Sequence, residues 1–282
     1  MEIRKIAVIG AGIMGGGIAQ ACAQSGYDVV LEDRNEDFAR TGCTKIGNRL
    51  EKRVAEGKLE EKEKEGILSR IRASSRIEDC ADADLIIEAV TEKENIKMEI
   101  FRKLDDLCRP DVVFASNTSS ISITRLGGFT NRADRFIGMH FMNPAYIMKL
   151  VEVVRGLNTS EDTVIAIKAV SERMGKASVV VNDYPGFVSN RVLMPLINEA
   201  IFCLHEGVAS RESIDAIMKF GAHHPMGPLE LADFIGLDIC LEILEILHAE
   251  LGGKFRPCPL LRIMVAAGKL GKKSGGGFYE YR

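Results

Sequence analysis

The residues best suited to chemistry in this chain lie in HFMNPAYIMKLVEVV, residues 140–154. His140 closes one apolar run, FIGMH, and Glu152 stands third in the next, LVEVV. The loop FMNPAYIMK joins the runs, so two neighbouring strands would bring the side chains together. Imidazole titrates near neutrality, so it can take a proton from a hydroxyl and return it in the reverse direction. A carboxylate beside it fixes the ring's tautomer and stabilises the imidazolium that forms. A structural His–Glu pair would look the same in sequence, so its companions have to decide.

The first companion is IAVIGAGIMGGGIA, whose Gly10, Gly12 and Gly15 follow a strand and open a helix, with Ile13 and Met14 between them. In a G-x-G-x-x-G turn the first glycine permits the tight turn and the second lets a pyrophosphate approach the backbone. The third allows close helix–strand packing. The helix N-terminus offers N–H groups and partial positive charge to the phosphates. Asp33 ends the next strand, where a carboxylate binds the adenine ribose hydroxyls. Its charge repels a 2′-phosphate, so NAD is expected over NADP, and Arg34 keeps NADP open. The bland alternative is a tight turn in some other α/β sheet. A hydride acceptor together with a base is the equipment of an alcohol dehydrogenase.

The elements that must position these groups alternate. Strands are expected at RKIAVI, YDVVLED, LIIEAV, VVFASN, FIGMH, LVEVVRG and SVVVN, with helical patterns such as NIKMEIFRKLDDLC between them. That order predicts an α/β protein with a Rossmann-like, doubly wound, mainly parallel sheet. Residues 35–74 are charged and divided by Gly57, which predicts a helical hairpin projecting from the sheet; a merely solvated arm is the alternative. Beyond Pro185 the apolar spacing is helical. The boundary is placed near Asp183, giving a dinucleotide domain at 1–183 and an all-helical domain at 184–282. The apolar face of ICLEILEIL is a candidate for sharing with another subunit.

With 282 residues and a net charge of −3, the chain fits a soluble protein with no call for nucleic acid. No signal peptide or spanning segment is expected. Seven scattered cysteines read as reduced thiols in the cytoplasm. His223 and His224 lack a third ligand at suitable spacing, so no metal is expected.

SNTSS, GMHFMNP, KLVEVV, PGFVSNR, HHPMGPLELADFIGLD and KSGGGFY occur in this order and span essentially the whole chain. Together they resemble the 3-hydroxyacyl-CoA dehydrogenase family. The resemblance implies reversible hydride transfer between NAD and a short-chain (S)-3-hydroxyacyl-CoA or its 3-oxoacyl partner, in fatty acid and butyrate metabolism. It also implies a homodimer held by the C-terminal helices. Carried over, His140 is the general acid/base and Glu152 its orienting partner. Ser119 bonds the reacting oxygen and Asn190 the substrate carbonyl. Glu92, Lys97, Asn117 and Asn143 fall to the nicotinamide half of the cofactor. Lys52, with Arg49 and Arg53, would meet the CoA phosphates, although Asn48, Ala55 and Glu56 leave that patch thinner than in relatives. Read without the family, Ser119 and Asn190 are helix caps, Lys97 is a solvated lysine, Glu92 a helix-start acid and Asn117 a strand-end turn. A dehydrogenase of a free hydroxy acid or sugar acid, and a non-catalytic NAD-binding protein, are the competing functions.

Overall fold

Near-continuous apolar runs of Val, Ile, Leu and Ala are what a sheet covered on both faces requires. In the computed structural model, which describes residues 2–281, those runs form eight strands. They are β1 (Lys5–Ile9), β2 (Asp28–Glu32), β3 (Ile71–Ser74), β4 (Leu85–Glu88), β5 (Val113–Ser116), β6 (Phe136–Phe141), β7 (Leu150–Arg155) and β8 (Ala177–Asn182). The sheet order is β3-β2-β1-β4-β5-β6-β7-β8. Every pairing is parallel except that of β6 with β7. The order reverses between β1 and β4, and a crevice opens at such a switch point beyond the carboxyl ends of the strands.

Two compact units make up the chain, Met1–Asp183 and Tyr184–Arg282. In the first, α1 (Ile13–Gln24), α4 (Glu94–Leu107), α5 (Ile123–Gly127) and α6 (Glu161–Arg173) follow strands, while α2 (Glu36–Ala55) and α3 (Glu61–Ser69) form the arm. Asn35 caps α2 by accepting the Asp37 N–H, and Glu36 and Asp37 complement the helix dipole in its first turn. The expectation that the hairpin runs to residue 74 is corrected here. Helix α3 stops at Ser69, and Ile71–Ser74 is the edge strand β3, paired with β2 from Val29↔Ile71 to Glu32↔Ser74. Arg72 points outward from that edge, so the strand lacks the apolar continuity that marks the others.

Helix α4 presents Lys97, Phe101 and Leu104 as one buried stripe. The Phe101 ring lies edge-on to Phe136, with centroids 4.6 Å apart, and tilted to Phe114 at 5.8 Å.

The second unit contains α7 (Ser189–His205), α8 (Arg211–Gly221), α9 (Pro228–Ile235), α10 (Leu237–Leu251) and α11 (Pro259–Ala266). Cys240, Ile243, Leu244 and Leu247 of α10 are buried within this unit. The face proposed for sharing with another subunit is therefore largely occupied by its own neighbours. Two aspartates organise the rest. Asp215 accepts the backbone N–H groups of Leu229 and Glu230 at the start of α9, and also the Tyr279 hydroxyl. Asp233 accepts Phe278 N–H, Tyr279 N–H and the Tyr281 hydroxyl. That grip explains KSGGGFY: a Cβ on Gly277 would sit 1.9 Å from Asp233 Oδ1. No helix among the described residues is long and apolar enough to cross a membrane.

Replacing Phe101 with Ala leaves a cavity between α4 and the rings of Phe114 and Phe136. Such a truncation costs about 3–5 kcal/mol. Urea unfolding should show that loss, and a change below about 1 kcal/mol would contradict the packing described.

Candidate active site

Antiparallel pairing sets His140 directly opposite Glu152 in the β6–β7 register. Directly opposed residues send their side chains to the same face of a sheet. His140 Nδ1 and Glu152 Oε2 lie 2.8 Å apart, with both residues buried. A carboxylate here accepts the Nδ1 proton, which leaves Nε2 as the nitrogen suited to exchange a proton with substrate. The loop between the two strands is tied down from a distance. The Lys176 ammonium donates to the carbonyls of Ala145 at 2.6 Å and Met148 at 2.8 Å. Burial pulls the Lys176 pKa below its ordinary value. Asn143 is exposed in that loop.

A second constellation sits at the ends of β4 and β5. Glu92 Oε1 gathers the Ser119 N–H at 2.8 Å, the Ser119 hydroxyl at 3.3 Å, and the Thr118 and Ser120 hydroxyls at 2.5 Å and 3.0 Å. One carboxylate thus gathers the last three residues of the SNTSS turn. Its other oxygen lies 3.2 Å from Lys97 Nζ. Lys97 also donates to Glu88 Oε1 at 2.6 Å and to the Val90 carbonyl at 3.4 Å. Glu88 in turn accepts the Ser116 hydroxyl at 2.6 Å and the Val90 N–H at 2.7 Å. Lys97 is 1% exposed, which excludes a solvated lysine. An ammonium has three N–H donors, so a ribose contact would replace one of these bonds. Burial pushes the Glu88 carboxyl above the ordinary range against the pull of Lys97. At Glu92 burial acts the same way, but the Lys97 charge and the hydrogen bonds from Thr118 and Ser119 outweigh it and hold the carboxyl low. Sequence reasoning missed Glu88 and Lys176. An acid inside the apolar run LIIEAV was the available signal for the first; the second gave none.

Ser119 does not cap a helix. That role belongs to Ser122, whose hydroxyl accepts the Arg125 N–H at the start of α5. Asn117 accepts the Phe141 N–H at 3.0 Å and ties the end of β5 to β6. Asn190, in the second unit, is buried inside α7, with Val188 at the cap position.

At the switch point a cleft of about 770 Å³ is lined by Gly10, Gly12, Asp33, Ala89, Val90 and Ile96, among others. Asp33 Oδ2 accepts the Ala11 N–H at 2.8 Å, joining the acid of β2 to the glycine turn. A Cβ on Gly15 would fall 1.7 Å from the Gly10 carbonyl, so no other residue fits there, whereas Gly12 opens onto space. Ile13 is exposed at the first turn of α1 and Met14 half-buried. A bare turn, a helix N-terminus and a carboxylate hydrogen-bonded to that turn fit a dinucleotide. Arg34 lies 5.5 Å over the Phe38 ring at the mouth.

On the arm, Arg49 turns inward. Its Nε donates to Gln20 Oε1 at 2.8 Å, and its guanidinium lies 4.8 Å over the Tyr146 ring. Lys52 is exposed, 3.9 Å from Glu56, and Arg53 is half-buried. The three basic residues therefore do not share one environment. Among the described residues no group of three His, Cys, Asp or Glu could hold a metal ion, and all seven cysteines are free thiols.

A dinucleotide crevice and a carboxylate-oriented imidazole in one unit define an NAD-dependent dehydrogenase acting on a CH–OH group. Comparison with known proteins agrees. Residues 5–184 match the model of the 3-hydroxyacyl-CoA dehydrogenase NAD-binding domain, and residues 186–281 match that of its C-terminal domain. A probable 3-hydroxybutyryl-CoA dehydrogenase of Bacillus subtilis is 55% identical over 282 residues, covering 100% of this chain and 98% of that protein. The 3-hydroxybutyryl-CoA dehydrogenase of Bradyrhizobium diazoefficiens is 52% identical over 99% of this chain and 96% of its own. The crystal structure of (S)-3-hydroxybutyryl-CoA dehydrogenase from Ralstonia eutropha covers 100% of both chains, with a TM-score of 0.96 and 48% identity. The chain belongs to the 3-hydroxyacyl-CoA dehydrogenase family.

Replacing Lys97 with Met leaves Glu88 and Glu92 facing each other without a cation. Breaking a buried ion pair in this way costs about 3–5 kcal/mol. A carboxyl left without its cation takes up a proton more readily folded than unfolded, so the folded state binds more protons. The loss should therefore be larger at pH 8 than at pH 5.5. Denaturant unfolding at the two pH values checks this; an equal, small loss at both would refute the pairing.

Proposed function

We propose that this chain interconverts (S)-3-hydroxybutyryl-CoA and acetoacetyl-CoA using NAD(H). The observation that carries the reading is the buried His140–Glu152 pair. The substrate is taken from the relatives, which are 3-hydroxybutyryl-CoA dehydrogenases. NAD, when bound, supplies the hydride chemistry at the carbon that bears the reacting oxygen. The chain's own residues manage the proton. In oxidation, His140 Nε2 takes the hydroxyl proton, and the Glu152 carboxylate stabilises the imidazolium through Nδ1–H. In reduction, the same imidazolium returns the proton to the oxygen.

Ser119, held by Glu92 through its backbone N–H, is assigned as the donor to the reacting oxygen, its hydroxyl exchanging the long bond to Glu92 for that oxygen; a neutral donor stabilises developing negative charge without adding a competing one. Asn190 is assigned to the substrate carbonyl on the resemblance. Gly10, Gly12, Ile13, Met14, Gly15 and Asp33 are assigned to the adenosine and pyrophosphate half of NAD, with Glu92, Lys97, Asn117 and Asn143 near its nicotinamide half. Lys52 and Arg53, with Arg49 behind them, are assigned to the CoA phosphates. A homodimer through the C-terminal helices draws support from Ile217 and Phe220 of α8, exposed at 63% and 79% within one chain. Cytoplasmic residence accords with the unpaired cysteines.

A steady-state assay of acetoacetyl-CoA reduction with NADH and NADPH tests the substrate and cofactor together. NADH should be strongly preferred. Removing a general acid/base costs roughly 10²–10⁴-fold in rate, so His140→Gln should lose that much kcat while its NADH Kd, measured by calorimetry, stays near wild type. A variant within a few-fold of wild type would sink the assignment.

A further inference from the structure

Among the side chains that line the cleft, one buried carboxyl belongs neither to the glycine turn nor to the proton-handling pair. Glu32 ends β2 next to Asp33, lines the cleft and is 6% exposed. Among the described residues its carboxyl has no hydrogen-bond or ion-pair partner. Only longer-range charges act on it, from Asp33, Lys103 and Glu78. The nearby cation of α4, Lys103, pairs with Glu78 at 3.4 Å instead. The residue as a whole is buried, yet its carboxyl oxygens open onto the cleft, where a ligand can reach them.

The surroundings identify the ligand part. Asp33 marks the ribose, and Ala89, Val90, Ile96 and Ile100 form apolar walls beside it. A flat base fits between such walls, with Glu32 as the polar group at its edge. We propose that Glu32 reads the adenine of the dinucleotide, accepting a hydrogen bond from the exocyclic amine and donating its own proton to the adjacent ring nitrogen. This rests on the dinucleotide reading above and adds a base-specificity residue to it.

Donation requires the neutral acid. Burial first, and the Asp33 charge second, push the Glu32 carboxyl up to about 7. The acid form is therefore available at neutral pH and is lost as pH rises. The other charged groups around the cleft are Arg34 after β2, Arg76 and Glu78 around the 3-10 turn at Ile77–Cys80, and Glu99 and Lys103 from α4. The Cys80 thiol of that turn also senses Glu32, and burial holds it protonated.

The test is calorimetric binding of NAD and of its 1,N6-etheno analogue, whose base edge is blocked, to wild type, Glu32→Gln and Glu32→Val. A bidentate contact to a base gives roughly tenfold discrimination or more. Wild type should show that preference for NAD at pH 6.5 and lose most of it by pH 8.5, as the proton is lost. Glu32→Gln, whose amide both donates and accepts, should keep the preference without the pH slope. Glu32→Val should bind both dinucleotides equally, with a melting temperature at or above wild type. An undiminished preference in Glu32→Val, or the same pH slope in Glu32→Gln as in wild type, overturns the proposal. Failure of wild type to bind NAD at all would instead overturn the dinucleotide reading.

Discussion

Burying a carboxylate beside an imidazole is favourable only when geometry turns the two into partners, and the β6–β7 register supplies that geometry. The rest of the sheet is parallel, a pairing whose connections run through long crossovers. One antiparallel pair permits a short loop, so two residues near in sequence face each other at the carboxyl end of the sheet. The hydrogen bond of 2.8 Å engages Nδ1 and so leaves Nε2 as the nitrogen proposed to serve a substrate. The arrangement needs rigid support, and it has it: Val151, Val153, Met139 and Phe141 are buried on the two strands, and Lys176 fastens the loop between them.

Charge inside this unit is handled by neutralisation at close range. Lys97 serves two carboxylates at once, and one of them, Glu92, holds the turn that carries Ser119. The buried ion cluster therefore shapes the proposed substrate side through hydrogen bonds and not only through its field. Glu32 differs because no cation pairs with it: Lys103 acts only at longer range, and burial favours the neutral acid. The two devices sit at opposite sides of β1, the strand around which the sheet reverses its order.

Much of this was legible in the sequence, for identifiable reasons. Buried parallel strands are apolar throughout, so LIIEAV, VVFASN and FIGMH announced themselves. The glycine turn was readable because Gly15 meets the Gly10 carbonyl so closely that no substitute fits. Strand β3 was hidden because an edge strand with an exposed Arg72 lacks an apolar run. Helices α9 and α11, of eight residues each, begin at Pro228 and Pro259 and are too short for apolar periodicity to show. The facing of His140 and Glu152 could be anticipated from two runs and a short loop. The partners of Lys97 and Lys176 could not, because they are set by tertiary packing. Arg49 illustrates the same limit: its charge suggested a phosphate, yet its Nε meets Gln20 on α1.

The central claim is that Glu152 acts by fixing the protonation of His140, and Glu152→Gln tests it most directly. An amide at that place can donate to Nδ1, which moves the imidazole proton to Nε2 and removes the base. The corresponding change in a hydrolase triad preserves geometry yet costs about 10⁴-fold. Measuring kcat for (S)-3-hydroxybutyryl-CoA oxidation alongside NAD Kd should show a loss of roughly 10²-fold or more in kcat with little change in Kd. Activity within about threefold of wild type, with the fold intact, would contradict the account.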